Sequence, residues 1–98
     1  MKIATDFGRR LQRDVERIKL VRQVIGPDIG LAIDANQAFT VSQALDFARM
    51  VEPYKIAWFE EPIHSYDFRG YKELAGKSPI PIATGESFLN HYLFEAAE

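Results

Sequence analysis

The chain of 98 residues has no cysteine, which excludes a disulfide framework and any thiolate metal site. No apolar run approaches the length of a membrane span, so no membrane partner is expected. The first ten residues, MKIATDFGRR, lack the apolar core of a signal peptide, and a cytoplasmic location is the resulting expectation. A large net charge is missing too: 12 Lys/Arg against 14 Asp/Glu leave −2, too little to argue for a nucleic-acid partner. The charge is unevenly placed, with seven basic against three acidic residues in 1–25 and five against eleven in 26–98. The basic excess lies on Arg9 to Arg22, where apolar residues fall at helical spacing and no aromatic interleaves. A solvated helix face accounts for it, with a phosphate-binding patch as the alternative.

What is present is an alternation. Residues 2–4 read as the tail of a short strand. Leu11, Val15, Ile18, Val21 and Ile25 mark one face of a helix that Gly26-Pro27-Asp28 breaks. IGLAID (29–34) reads as a buried strand. Thr40 opens TVSQ, a capping-box pattern, before a helix that carries Val41, Ala44, Leu45, Ala48 and Val51 on one face and stops near Pro53. KIAWFE (55–60) is a second strand. Asp67 can cap a short helix through Leu74, ended by Gly76 and Pro79. IPIATGE (80–86) is a third strand, and Asn90 can cap a last helix. Strands alternating with helices, apolar on both faces, predict an α/β fold of parallel βα units.

Each predicted strand ends in an acid: Asp34, Glu60 and Glu86, at an interval of 26 residues both times. Parallel strands joined by helices put their C-terminal ends on one side of the sheet, the side on which barrel active sites are built. Trp58 and Glu60 share a strand face, as do Ala32 and Asp34, and Thr84 and Glu86. With these even-numbered positions pointing inward, the three carboxylates share one space. Three carboxylates together repel one another unless a cation sits among them. An all-oxygen set suits a hard ion such as Mg²⁺ better than zinc, since neither histidine nor cysteine joins it. Taken singly, each acid could equally be a helix cap or a loop residue in solvent. Asn36 follows Asp34 by two and lies on the same face where the extended conformation persists. Its amide could then meet a substrate carboxylate or a water on the cation; the plainer reading is an Asx turn.

The motifs IDANQ (33–37), WFEEP (58–62) and ATGES (83–87), in this order and spacing, resemble the enolase superfamily, in its mandelate racemase and muconate lactonizing enzyme branch. The resemblance covers essentially the whole chain. It implies a partial TIM-type (β/α) barrel of about four βα units, with Asp34, Glu60 and Glu86 as ligands of a catalytic Mg²⁺. Gly85-Glu86 is similar to the mandelate racemase type, which includes acid-sugar dehydratases; the muconate lactonizing type has Asp at that site. MKIATD resembles the end of the family's Lys-x-Lys motif. That match implies Lys2 as the catalytic base, with the first lysine falling ahead of Met1. The alternative for Lys2 is an ordinary surface lysine. The implied chemistry is removal of the α-proton of a small carboxylate substrate, an acid sugar, through an enediolate whose charge the metal stabilises.

A whole barrel takes roughly 250 residues. The chain is therefore expected to be a fragment of the enolase-like C-terminal barrel domain over residues 1–98, without the capping domain or the second barrel half. By itself it is expected to be inactive and either marginally stable or self-associating through its open strand edges, as a homo-oligomer. His64 and His91 have no orienting Asp at the family's dyad position and read as ordinary residues. Two other functions stay open: a cycloisomerase or epimerase of the muconate lactonizing branch, and a half-barrel that binds metal without turnover.

Overall fold

The computed structural model describes residues 1–5 and 10–83. Glu86, the tail of the predicted third strand, the helix predicted after Asn90 and His91 lie outside the described residues.

The order of elements is helix α1 (Leu11–Ile25), strand β1 (Ile33–Asp34), helix α2 (Val41–Val51), a 3₁₀ turn over Glu52–Tyr54, strand β2 (Phe59–Glu60), helix α3 (Phe68–Lys77) and strand β3 (Ile82–Ala83). The strands form one parallel sheet in the order β1-β2-β3. Lys2 adds a parallel bridge to Asp34 on the outer side of β1, where the Ile3 N–H donates to the Asp34 carbonyl at 2.9 Å. The described residues thus hold three helices, three strands and this bridge.

Local sequence explains the helices. At α2 the capping box forms in full: the Gln43 N–H donates to Thr40 Oγ1 at 3.2 Å and the Thr40 N–H to Gln43 Oε1 at 3.0 Å. Asp67 Oδ1 caps α3 by accepting the Gly70 N–H at 2.9 Å. Helix α1 ends where expected, with Gly26 at φ 83°. Helix α3 runs past its expected end at Leu74 to Lys77, carrying Gly76 inside it. One glycine near a helix end costs only about 1 kcal/mol. Pro79 is the effective stop, because the residue before a proline is pushed out of the helical region.

Strands β1 and β2 are shorter than predicted. In the segment 29–34 only Ile33 and Asp34 enter the ladder; Ile29 is exposed, and its carbonyl instead accepts Arg22 Nη1 at 2.6 Å. Single hydrogen bonds still extend the pairing at each end, with the Ala57 N–H to the Leu31 carbonyl at 2.7 Å and the Ala35 N–H to the Glu60 carbonyl at 3.1 Å.

The alternation of the strands sorts the two sides of the sheet. Ile33, Ala35 and Phe59 are buried in the core that the helices cover. Phe39, Phe47 and Phe59 form its centre, with ring centroids 5.5–6.0 Å apart and Phe39 edge-on to Phe59 at 81°. Such aromatic contacts add to the burial energy itself. Asp34 and Glu60 are half-buried and Trp58 is 46% exposed on the other face. On β1 and β2 the even-numbered positions therefore look away from the helices, as the inner face of a barrel segment requires; on β3 the expected parity is reversed, because the register sets Ile82 level with Phe59 and against the core, and Ala83 level with Glu60.

Candidate metal centre

Asp34 and Glu60 are paired residues on adjacent parallel strands. Strand spacing of about 4.8 Å brings their Cα atoms side by side, and identical strand parity sends both side chains to the face away from α1, α2 and α3. Together with Lys2, Ala32 and Trp58 they line an open cleft of about 230 Å³.

Asp34 is the best-defined member. Its Oδ2 accepts the Lys2 ammonium at 2.7 Å, and its Oδ1 accepts the Asn36 N–H at 2.8 Å. Its backbone is bonded on both sides, the N–H to the Met1 carbonyl at 2.9 Å and the carbonyl from the Ile3 N–H. The carboxylate is therefore held with little freedom to rotate away.

Asn36 departs from the extended path. It has φ 51° and Gln37 φ 67°, both left-handed. The bond from the Asn36 N–H to Asp34 Oδ1 closes an Asx turn, so the shared-face argument for its amide fails. Asparagine tolerates this conformation better than most residues. The turn then ties the loop after β1 to the loop after β2: the Gln37 N–H donates to the Glu61 carbonyl at 2.6 Å, and Gln37 Oε1 accepts the Ser65 N–H at 3.2 Å. Glu61 is itself left-handed at φ 46°, immediately past Glu60. Left-handed non-glycine residues thus follow the strand ends at Asn36, Gln37 and Glu61, where loops must turn sharply away from the cleft.

Several contacts that carry the site had no signal at helical or strand period. Asp14 is buried on α1; its Oδ2 accepts the N–H of Ala4 (φ 57°) at 3.0 Å, and its Oδ1 takes Arg17 Nη1 at 3.0 Å. Arg17 Nη2 reaches the Lys2 carbonyl at 3.3 Å. Helix α1 in this way clamps the segment that presents Lys2. Arg22 donates to the carbonyls of Tyr54, Gly26, Ile29 and Lys55 at 2.6–2.9 Å. Two members of the basic stretch are therefore structural ties rather than a solvated face or an anion patch. His64 is exposed, and its Nδ1 accepts the Tyr66 N–H at 3.2 Å, which makes it a turn residue.

The donors fit a hard cation in kind: two carboxylates face one cleft with no histidine or cysteine beside them. Among the described residues no group of three His, Cys, Asp or Glu side chains converges to hold a metal ion, and Glu86 lies outside them. No helix among the described residues is long and apolar enough to cross a membrane.

A family model described as enolase C-terminal domain-like matches residues 1–97. Among curated proteins, the chain is 38% identical over 81 residues to the L-talarate/galactarate dehydratase of Salmonella typhimurium, covering 80% of this chain and 20% of that protein. It is 37% identical over 91 residues to the D-galactarolactone cycloisomerase of Agrobacterium fabrum, covering 93% and 24%. Among solved structures, a mandelate racemase/muconate lactonizing enzyme from Polaromonas sp. JS666 superposes with a TM-score of 0.84 at 33% identity, over 96% of this chain and 26% of that one. A racemase from Streptomyces coelicolor A3(2) with bound magnesium superposes at 0.78 with 32% identity, over 84% and 22%. The chain spans between a fifth and a quarter of the length of the two curated relatives.

Proposed function

The chain belongs to the enolase C-terminal domain-like family, and from that premise we propose that it carries the Mg²⁺ site of an enzyme that removes the α-proton of a sugar-acid carboxylate, as a dehydratase or racemase. The observation that carries the reading is the register pairing of Asp34 with Glu60 at the C-terminal ends of adjacent parallel strands, both facing one cleft that Lys2 also lines.

Asp34 and Glu60 would hold the cation, with Glu86 as the third carboxylate. When bound, Mg²⁺ supplies positive charge to hold the substrate carboxylate and to offset the charge that develops when the α-proton leaves. Lys2 Nζ stands at the cleft and takes the role of base. Trp58 gives the cleft an apolar wall that limits water on that side. Asn36 remains the proposed substrate contact, reaching from the Asx turn rather than from an extended strand. The substrate class is supported by relatives that are named for talarate and galactarate, and by the magnesium of the racemase neighbour. Gly85-Glu86 supports the dehydratase or racemase over the muconate lactonizing type. Self-association of the chain belongs to the same proposal, and sedimentation as an ideal monomer would remove it.

Calorimetric titration with Mg²⁺ tests the site. Binding is expected for the native chain and is expected to be lost in Glu60→Gln; equal binding by both overturns the assignment. In an active enzyme carrying this chain, exchange of the substrate α-proton with deuterated solvent is expected to vanish in Lys2→Ala. Persistence of exchange removes Lys2 as the base.

A further inference from the structure

The Lys2–Asp34 ion pair joins the proposed base directly to a proposed metal ligand. We infer that Lys2 is the internal counter-cation of Asp34, that a divalent ion has to displace it, and that Lys2 thereby sets how tightly the site takes its metal. The inference rests on the metal-site reading above and adds to it an antagonism between the ammonium and the cation.

The geometry is asymmetric. Nζ lies 2.7 Å from Oδ2, with the Lys2 side chain 66% exposed and that of Asp34 17% exposed. The carboxylate is pinned by the Asn36 N–H on its other oxygen and by backbone bonds on both sides of residue 34. The ammonium is the mobile partner, a point charge on a flexible four-carbon stem. A divalent ion that uses the Asp34 carboxylate meets this like charge at a few ångströms, where Coulomb repulsion is not negligible even in water. Two cations on the same carboxylate repel each other, and each weakens the other's contact. Cation entry therefore costs the ion pair, and it moves the Lys2 amine off Asp34 in the same event. An occupied site and a released base become linked states, while in the metal-free state the lysine keeps a half-buried carboxylate compensated.

The linkage has a definite sign. Removing the Lys2 charge is expected to tighten Mg²⁺ binding by about three- to tenfold, from the loss of one partly exposed pair and one like-charge contact. Keeping the charge in Lys2→Arg is expected to leave the affinity within about twofold of native. The test is calorimetric titration of the full chain with Mg²⁺ alone, at fixed pH and ionic strength, for the native protein, Lys2→Met and Lys2→Arg. As a second readout, the rise in unfolding temperature that Mg²⁺ produces is expected to be larger in Lys2→Met than in the native chain. Should Lys2→Met not fold by circular dichroism, Lys2→Gln makes the same comparison. Tighter binding in the neutral variant and native-like binding in Lys2→Arg support the antagonism. Equal or weaker binding in the neutral variant overturns it while leaving the metal site standing. Absence of Mg²⁺ binding in every form, native included, overturns the site and this inference together.

Discussion

Replacing Asp14 by alanine is expected to cost about 3 kcal/mol of stability. Asp14 is 4% exposed and accepts two hydrogen bonds, one from the buried Ala4 N–H and one from Arg17. A hydrogen bond to a charged group contributes about 1.5–3 kcal/mol, and leaving a buried donor unsatisfied carries a penalty of about 1–3 kcal/mol. The Arg17 side chain is 43% exposed and can rehydrate, so its share is small, under about 1 kcal/mol. The cost therefore sits on the Ala4 N–H, which has no route to water while Ala4 stays buried and left-handed. In a domain of this size about 3 kcal/mol lowers Tm by roughly 12–24 °C. Urea and thermal unfolding followed by circular dichroism would measure it. Asp14→Asn keeps a carbonyl acceptor for Ala4 and is expected to lose about half as much, and Arg17→Met under about 1 kcal/mol. If Asp14→Ala proves no worse than Arg17→Met, the clamp on the Lys2 segment is not where the energy lies.

Three further outcomes follow from other contacts. Burial, together with the charge of Glu61, Asp67 and Asp34, raises the Tyr71 phenol well above its ordinary value. The folded state thus holds that proton more tightly than the unfolded chain. The contribution is complete below about pH 10 and is lost as pH rises above it; Tyr71→Phe should flatten this alkaline decline in urea midpoints while costing about 1 kcal/mol at neutral pH. In Gly70→Ala the new Cβ would stand 2.5 Å from Asp67 Oδ2 and 2.6 Å from Ile63 Cδ1, so the α3 cap has to shift. A loss of about 1–3 kcal/mol in thermal unfolding is expected, and an unchanged Tm would contradict the packing. Arg22→Met removes the donors to four carbonyls, and about 2 kcal/mol of destabilisation is expected in urea titration; a loss near zero would mean that water replaces the side chain there.

The parts legible from the sequence were those set by neighbours three or four residues apart. The capping box at Thr40, the Asp67 cap, the Gly26 stop and the apolar faces of α1 and α2 all depend on contacts within a turn or two, so composition at short range decides them. The spacing of 26 residues placed Asp34 level with Glu60, because the βα unit between them advances the chain by one strand and the parity of the pleat carries both side chains to one face; the same interval did not carry over to β3, where Ala83 is level with Glu60. Where reading by period failed, bonds outside the period held the backbone. The Ile29 carbonyl is taken by Arg22, seven residues away, and Asn36 leaves the extended path in an Asx turn on Asp34 that the β2 loop ties down through Gln37.

By itself, then, the amino-acid order determined the succession of elements, the parallel class, the family and the candidate carboxylates. Only the tertiary structure decided that Asp34 lies level with Glu60 and that Lys2 reaches Asp34 from 32 residues away. It also decided that a buried Asp14 holds the Lys2 segment in place. The physical reason is range. Periodicity and caps are read within a few residues, whereas ion pairs and register between separate strands exist only after the helices have folded the chain back onto itself.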